Sequence, residues 1–254
     1  SAALGEYYWN NGIHFSDKES LDSAYYSFSM AENIYQKVGD NYRKARMQYN
    51  SAYILRRSKS YVLSEVKALN SVKEFESLDK KMSLYSAYNH LGLLYNDLDK
   101  YDLAIEYHNK ASKLIGRLSN PGILEQRTLN NLSLVYQKQG KYEEAIEVLD
   151  RALENDNLEQ ENRNLYAKLI DNRAYNRFLR GDDDVLDDFQ QTLAIRRELD
   201  NPAGEVISRL HLAEYFLREK DTMAALNQTK RAYQLSREYG FNRDILSSLQ
   251  MLSK

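Results

Sequence analysis

The feature that most constrains this chain is that it repeats itself about every 40 residues. The stretch "AYNHLGLLYNDLDKYDLAIEYHNKA", Ala87 to Ala111, lines up without a gap on Thr128 to Ala152, at an offset of 41 residues. Leu91, Gly92 and Tyr95 match Leu132, Ser133 and Tyr136, and Tyr101, Ala104 and Ala111 match Tyr142, Ala145 and Ala152. The pattern runs both ways. A small residue inside a first helix recurs as Gly12, Ala52, Gly92, Ser133 and Ala213, with a large apolar one three places on at Phe15, Leu55, Tyr95, Tyr136 and Phe216. A second helix carries Ala24, Ser64, Ala104, Ala145 and Ala225, then Ala31, Ser71, Ala111, Ala152 and Ala232. A degenerate copy is assigned Tyr175, Phe178, Asp187 and Ala194, so that the last small residues step by 40, 40, 41, 42 and 38. Repeats of this length mean stacked helix pairs: the small residues let neighbouring helices approach, and aromatic rings fill the space between them.

Composition agrees. Only 10 glycines and 2 prolines in 254 residues favour a helical chain. A hydrophobic share of 43% and a charged share of 28% exclude disorder. A net charge of −2 gives no electrostatic case for nucleic acid or an anionic membrane. There are no cysteines, hence no disulfide, thiolate zinc site or cysteine nucleophile, and the compartment stays open. No run approaches the ~18 apolar residues of a membrane span. The chain starts Ser-Ala-Ala rather than with methionine, which reads as a trimmed product of a longer protein.

The pattern of small and aromatic residues resembles the tetratricopeptide repeat, with units of about 40 residues where the usual length is ~34. The expected fold is all-α, a right-handed superhelix (an α-solenoid) of six helix-turn-helix repeats plus a C-terminal helix. A single domain over 1–254 is expected, with repeats at 4–37, 42–77, 82–117, 123–155, 162–199 and 203–239 and a terminal helix at 242–254. Ile245, Leu246, Leu249 and Leu252 give that last helix an apolar stripe. Leu249, Met251 and Leu252 make a poor polar cap, so the protein is expected to continue past Lys254 or to meet another molecule there, self-association included.

On a helical wheel of the fourth unit, Leu129, Leu132, Ser133 and Tyr136 form the packed stripe, whereas Asn130, Asn131 and Leu134 point elsewhere. Two residues before the small position stand Asn10, Asn50, His90, Asn131, Arg173 and His211. Four places earlier come Glu6, Arg46, Ser86, Arg127, Leu169 and Ile207, and the adjacent register holds Asn89, Asn130 and Asn172. Further along the face are Asp17, Arg57, Asp97, Lys138, Arg180 and Arg218. An amide ladder can pair with both the N–H and C=O groups of an extended peptide, and arginine can grip a carboxylate. The alternative is a solvated face with no ligand.

The resemblance implies that first helices line a concave groove and that asparagines at this register hold a ligand backbone. The candidate binding residues are therefore Arg46, Asn50, Tyr53, Arg57, Asn89, His90, Arg127, Asn130, Asn131, Lys138, Arg173 and His211. The chaperone-type carboxylate clamp is only half met, by Arg46 with Asn50 and Arg127 with Asn131, so a chaperone C-terminus is disfavoured.

Catalytic chemistry has little footing. The four histidines, His14, His90, His108 and His211, do not fall at i, i+4. "GDDDVLDD", Gly181 to Asp188, lacks the spacing of a calcium loop and reads as a polar turn and helix start. There is no Gly-rich phosphate loop or nucleophile elbow. No catalytic residue, metal or cofactor is expected. Long repeats of this kind resemble kinesin light chains, G-protein-regulator scaffolds, bacterial peptide-pheromone receptors, and the sensor regions of bacterial histidine kinases and LuxR-type regulators. The expected function is a non-catalytic protein- or peptide-binding module, the sensory region of a larger bacterial signalling protein. A free-standing adaptor or peptide receptor is the alternative. A regulatory phosphatase fits less well.

Overall fold

The computed structural model describes residues 1–18, 20–119 and 121–252, which form helices and turns with no strand among them. They fall into two compact units, Ser1–Val135 and Tyr136–Lys254. The first holds α1 (Ala2–Asp17), α2 (Leu21–Val38), α3 (Asn41–Arg57), α4 (Tyr61–Ser77), α5 (Lys81–Asp97), α6 (Tyr101–Ile115) and most of α7 (Leu124–Lys138). From α1 to α6 each helix packs on the next. The repeated small residues are what permit this: Ala24, Ala31, Ala52, Ala104 and Ala111 are wholly buried. At two positions alanine is already too large. A Cβ on Gly12 would sit 2.5 Å from the Phe28 ring, and one on Gly92 would sit 2.5 Å from the His108 ring. Glycine there lets the large central side chain of the partner helix reach the backbone.

Turn chemistry fixes where the helices stop. Gly39, Lys59, Asp79, Asp99, Gly140, Gly181, Asp200, Lys220 and Gly240 all have positive φ in the short connections after helices. This left-handed residue closes the helix C-terminus. The following helix often starts on a side-chain cap: Asp40, Asn162, Asn201 and Asp221 each accept a 2.9 Å bond from the backbone N–H three residues on. Pro202 adds a helix-compatible first position.

The second unit holds α8 (Tyr142–Leu153), a short α9 (Leu158–Glu161), α10 (Arg163–Arg180), α11 (Leu186–Glu198), α12 (Pro202–Arg218), α13 (Thr222–Tyr239) and α14 (Asn242–Leu252). It corrects the reading of the degenerate copy. Asp187 and Ala194 are exposed and Tyr175 is only half-buried, whereas Ala174, Val185 and Thr192 are wholly buried. In the five regular copies the small residues of the paired helices lie 12 residues apart, as in Gly12 to Ala24, but Ala174 and Val185 are 11 apart. One residue is missing from this turn, so carrying the regular spacing through it misplaces both helices.

The same copy buries an ion pair. Asp171 is fully buried, with Arg196 Nη2 3.2 Å from its Oδ2. Thr192 and Ser208 each donate to Asp171 Oδ1 at 3.2 Å, and Arg196 Nη1 donates to Gly204 O and Ser208 Oγ at 2.6 and 2.8 Å. Burial pushes the Asp171 carboxyl up, but His211 and Arg196 pull it down further, to about 2.

Three acids of "GDDDVLDD" are held by Arg177, which reaches Asp182, Asp184 and Asp188, and Arg180 reaches Asp182 and Glu143. At the C-terminal end, α14 packs on α13 and α12, with Ser248 buried and Met251 half-buried. The side chains of Leu246, Leu249 and Leu252 lie outside the described residues, as do Ser253 and Lys254.

Candidate functional site

In the first unit, α1, α3 and α5 are the first helices of successive repeats. Two adjoining hollows form on them. One, of about 290 Å³, is walled by Trp9, Ile13, Phe28 and Tyr53, with Ser16 and Asp17 beside them. The other, of about 280 Å³, is walled by Tyr42, Phe75, Met82, Ser83 and Ser86. Arg46, Tyr49 and Asn50 line both. On α3 the lining residues Tyr42, Arg46, Tyr49, Asn50 and Tyr53 recur every three or four positions, which places them on one face.

The Arg46 guanidinium stands 4.3 Å from the Trp9 ring centre and 5.9 Å from that of Tyr42. Cation–π attraction orients it there. No carboxylate lies within ion-pair distance of it among the described residues. Arg57, by contrast, stands 5.7 Å from the Tyr53 ring and donates to Ser16 O at 3.4 Å. Arg46, Asn50 and Tyr53, singled out from the sequence, are thus brought together, with Arg57 packed on Tyr53.

Three other expected groove residues are buried instead. Asn89, His90 and Asn130 are only 8%, 3% and 1% exposed. Asn89 is fully engaged: its Oδ1 accepts from His108 Nδ1 at 3.0 Å, and its Nδ2 donates to Tyr85 O and Thr128 Oγ1 at 3.4 Å. Ser64 gives its one hydroxyl proton to Ala52 O at 2.8 Å, so His90 Nε2, 3.2 Å from Ser64 Oγ, must donate to it. That places a proton on Nε2. Burial pushes His90 down to about 3, with Arg56 adding to it, and burial alone pushes His108 down to about 4. The wheel located these residues off the packed stripe of their own helix. It could not show that the neighbouring helices cover them.

Arg127 is exposed and Asn131 half-buried on α7, and neither lines the two hollows. Arg127 has no carboxylate partner among the described residues. Lys138 is exposed at the end of the same helix.

In the second unit the expected residues serve the fold. Arg173 pairs with Asp150 and Asp188 at 3.3 and 3.7 Å. His211 stacks on Tyr175 at 3.9 Å between ring centres, with its Nδ1 3.1 Å from Asp171 Oδ2. With the repeat register corrected by one residue, Asn172 and Lys168 replace Arg173 and Leu169 in the polar ladder. Asn172 is buried and Lys168 exposed.

Apart from Tyr53, the aromatic residues that line the two hollows are not in the candidate set drawn from the sequence. Trp9 and Tyr49 occupy the register that holds Asn89 and Asn130 in later copies, and that difference was visible in the sequence.

Residues 83–157 match the tetratricopeptide repeat family model. The match covers one part of the chain, and the helix pairs on either side of it resemble that repeat in their spacing of buried small residues. The chain is similar to regulatory protein RapG of Bacillus subtilis (strain 168), 25% identical over 146 residues that make up 57% of this chain and 40% of that one. The chain therefore spans well under half the length of that relative. Among solved structures it resembles BtubC from P. vanneervenii, with a TM-score of 0.70 and 18% identity over 87% of this chain and 92% of that one. It also resembles the Rap conjugation gene regulator of plasmid pLS20 in complex with the Phr* peptide, with a TM-score of 0.70 and 16% identity over 94% of this chain and 63% of that one. At these identities the likeness is one of fold.

Proposed function

We propose that the first unit is a non-catalytic peptide-binding module whose groove takes an extended segment of a peptide or partner protein. The observation that carries this is the pair of adjoining aromatic hollows sharing Arg46 and Asn50. Apolar walls supply binding energy, an amide can pair with a ligand backbone, and a guanidinium fixes orientation. The pLS20 regulator, a protein of the same fold, was solved with a peptide bound, which supports the reading. The whole protein is read as a bacterial regulator in which these repeats are the sensing part, in keeping with a longer relative named as a regulatory protein.

The test is selection from a library of acetylated, amidated octapeptides on the folded chain, with affinities of selected peptides measured by calorimetry. Saturable binding is expected. Asn50→Ala should weaken it by about 1–3 kcal/mol, the cost of leaving a desolvated ligand group unpaired. If no octapeptide binds saturably, the reading fails.

A further inference from the structure

We infer that Arg46 reads an internal acidic side chain of the bound peptide, flanked two residues away on each side by an apolar side chain. This rests on the peptide-binding reading and specifies its ligand. Several half-buried arginines elsewhere carry a carboxylate: Arg43 on Glu6 at 3.3 Å, Arg56 on Asp97 at 2.8 Å, Arg177 on Asp184 at 2.7 Å and Arg209 on Glu205 at 2.7 Å. Arg46 is equally half-buried, and in place of a carboxylate it has the rings of Trp9 and Tyr42. Those rings hold the guanidinium and strip part of its water, leaving the N–H fork without a hydrogen-bond acceptor among the described residues. The charge and the fork both call for a carboxylate.

The position of Arg46 indicates which kind of carboxylate. It lies where the two hollows meet, not at the end of either. In an extended peptide, alternate side chains point the same way, about 7 Å apart. An acidic residue over Arg46 then sends its neighbours two places away into the hollows on either side. A C-terminal carboxylate at Arg46 would leave one hollow empty. The two hollows also differ. Trp9, Ile13 and Phe28 favour a large apolar side chain, and Asp17 beside them repels a second acid. Tyr42 and Met82 with the hydroxyls of Ser83 and Ser86 suit a smaller one. The expected ligand therefore carries one central acid in an apolar setting and is not a polyacidic stretch.

The test compares octapeptide libraries with amidated and with free C-termini on the whole chain, on Arg46→Gln and on Arg46→Glu. The wild-type chain should select Asp or Glu at one fixed position with apolar residues two places to each side, in the amidated library as well as the free one. The selected amidated octapeptide should lose about 10–100-fold in affinity on Arg46→Gln. Arg46→Glu should select Lys or Arg at that position. Circular dichroism and thermal melting establish that each variant is folded. Arg46→Lys, which keeps the charge and loses the fork, should weaken binding less, and it stands in if Arg46→Gln does not fold. Binders with no fixed acid, binders found only with a free C-terminus, or undiminished affinity on Arg46→Gln would each overturn the assignment. If octapeptides bind and Asn50→Ala weakens them but no acid is selected, only the Arg46 assignment falls. If none binds, the peptide-binding reading falls with it.

Discussion

Asn50 and Asn89 are the same residue type on successive first helices, and their surroundings give them different tasks. Asn89 is enclosed by His108, Tyr85 and Thr128, which use its oxygen and its amide protons. Asn50 lines the open groove. Removing a buried, satisfied amide strands its partners, so Asn89→Ala should lower the unfolding free energy by about 1–3 kcal/mol in urea denaturation. Asn131→Ala, at a half-buried helix position, should change stability by less than about 0.5 kcal/mol. If Asn131→Ala unfolds the protein, that amide is structural and has no place in a binding surface. The polar ladder was legible in the sequence because it recurs at a fixed register. Its division into buried and accessible members was not, because it depends on which side chain the neighbouring helix brings. His108 encloses Asn89 only because Gly92 lets its ring approach.

Helix pairing was legible for the same reason that it is stable. Small residues spaced 12 apart mark where two helices touch, and the five regular copies keep that spacing. The fifth copy was misread because deleting one turn residue changes nothing in the composition of either helix. Turn conformation leads to a further expectation. Lys59, Asp99 and Lys220 hold positive φ in connections where other copies use glycine, at Gly140 and Gly181. A side chain in this conformation costs about 1–2 kcal/mol relative to the right-handed region. Lys59→Gly and Asp99→Gly should therefore each raise the unfolding free energy, by up to about 1 kcal/mol after the added flexibility of the unfolded chain is offset. Chemical denaturation of the single variants checks this. A loss of stability would mean that the Lys59 or Asp99 side chain contributes more than its backbone strain costs.

For the whole molecule, the buried imidazoles set the response to acid. His90 and His108 are held neutral, at about 3 and about 4 against a usual 6.5. Below pH 6.5 the unfolded chain binds protons that the folded chain refuses. Stability is therefore full above pH 6.5 and falls as the pH drops toward 4, by roughly 1 kcal/mol per pH unit for each imidazole. Asp171, held at about 2 against 3.8, contributes stability above pH 3.8 that is lost as the pH falls through 2. Thermal melting from pH 7 to pH 4 should show a steady fall that His108→Gln makes shallower. An unchanged melting temperature across that range would contradict the buried, neutral assignment. The central claim, that peptide binds on α1, α3 and α5, has a built-in reporter, because Trp9 is the only tryptophan in the chain and lies against Arg46 in the groove. Its emission should shift as a selected octapeptide is titrated, saturating at the calorimetric affinity, and should lose this response at the same concentrations in Asn50→Ala. Calorimetric saturation with Trp9 emission unchanged would place the peptide elsewhere and contradict the account.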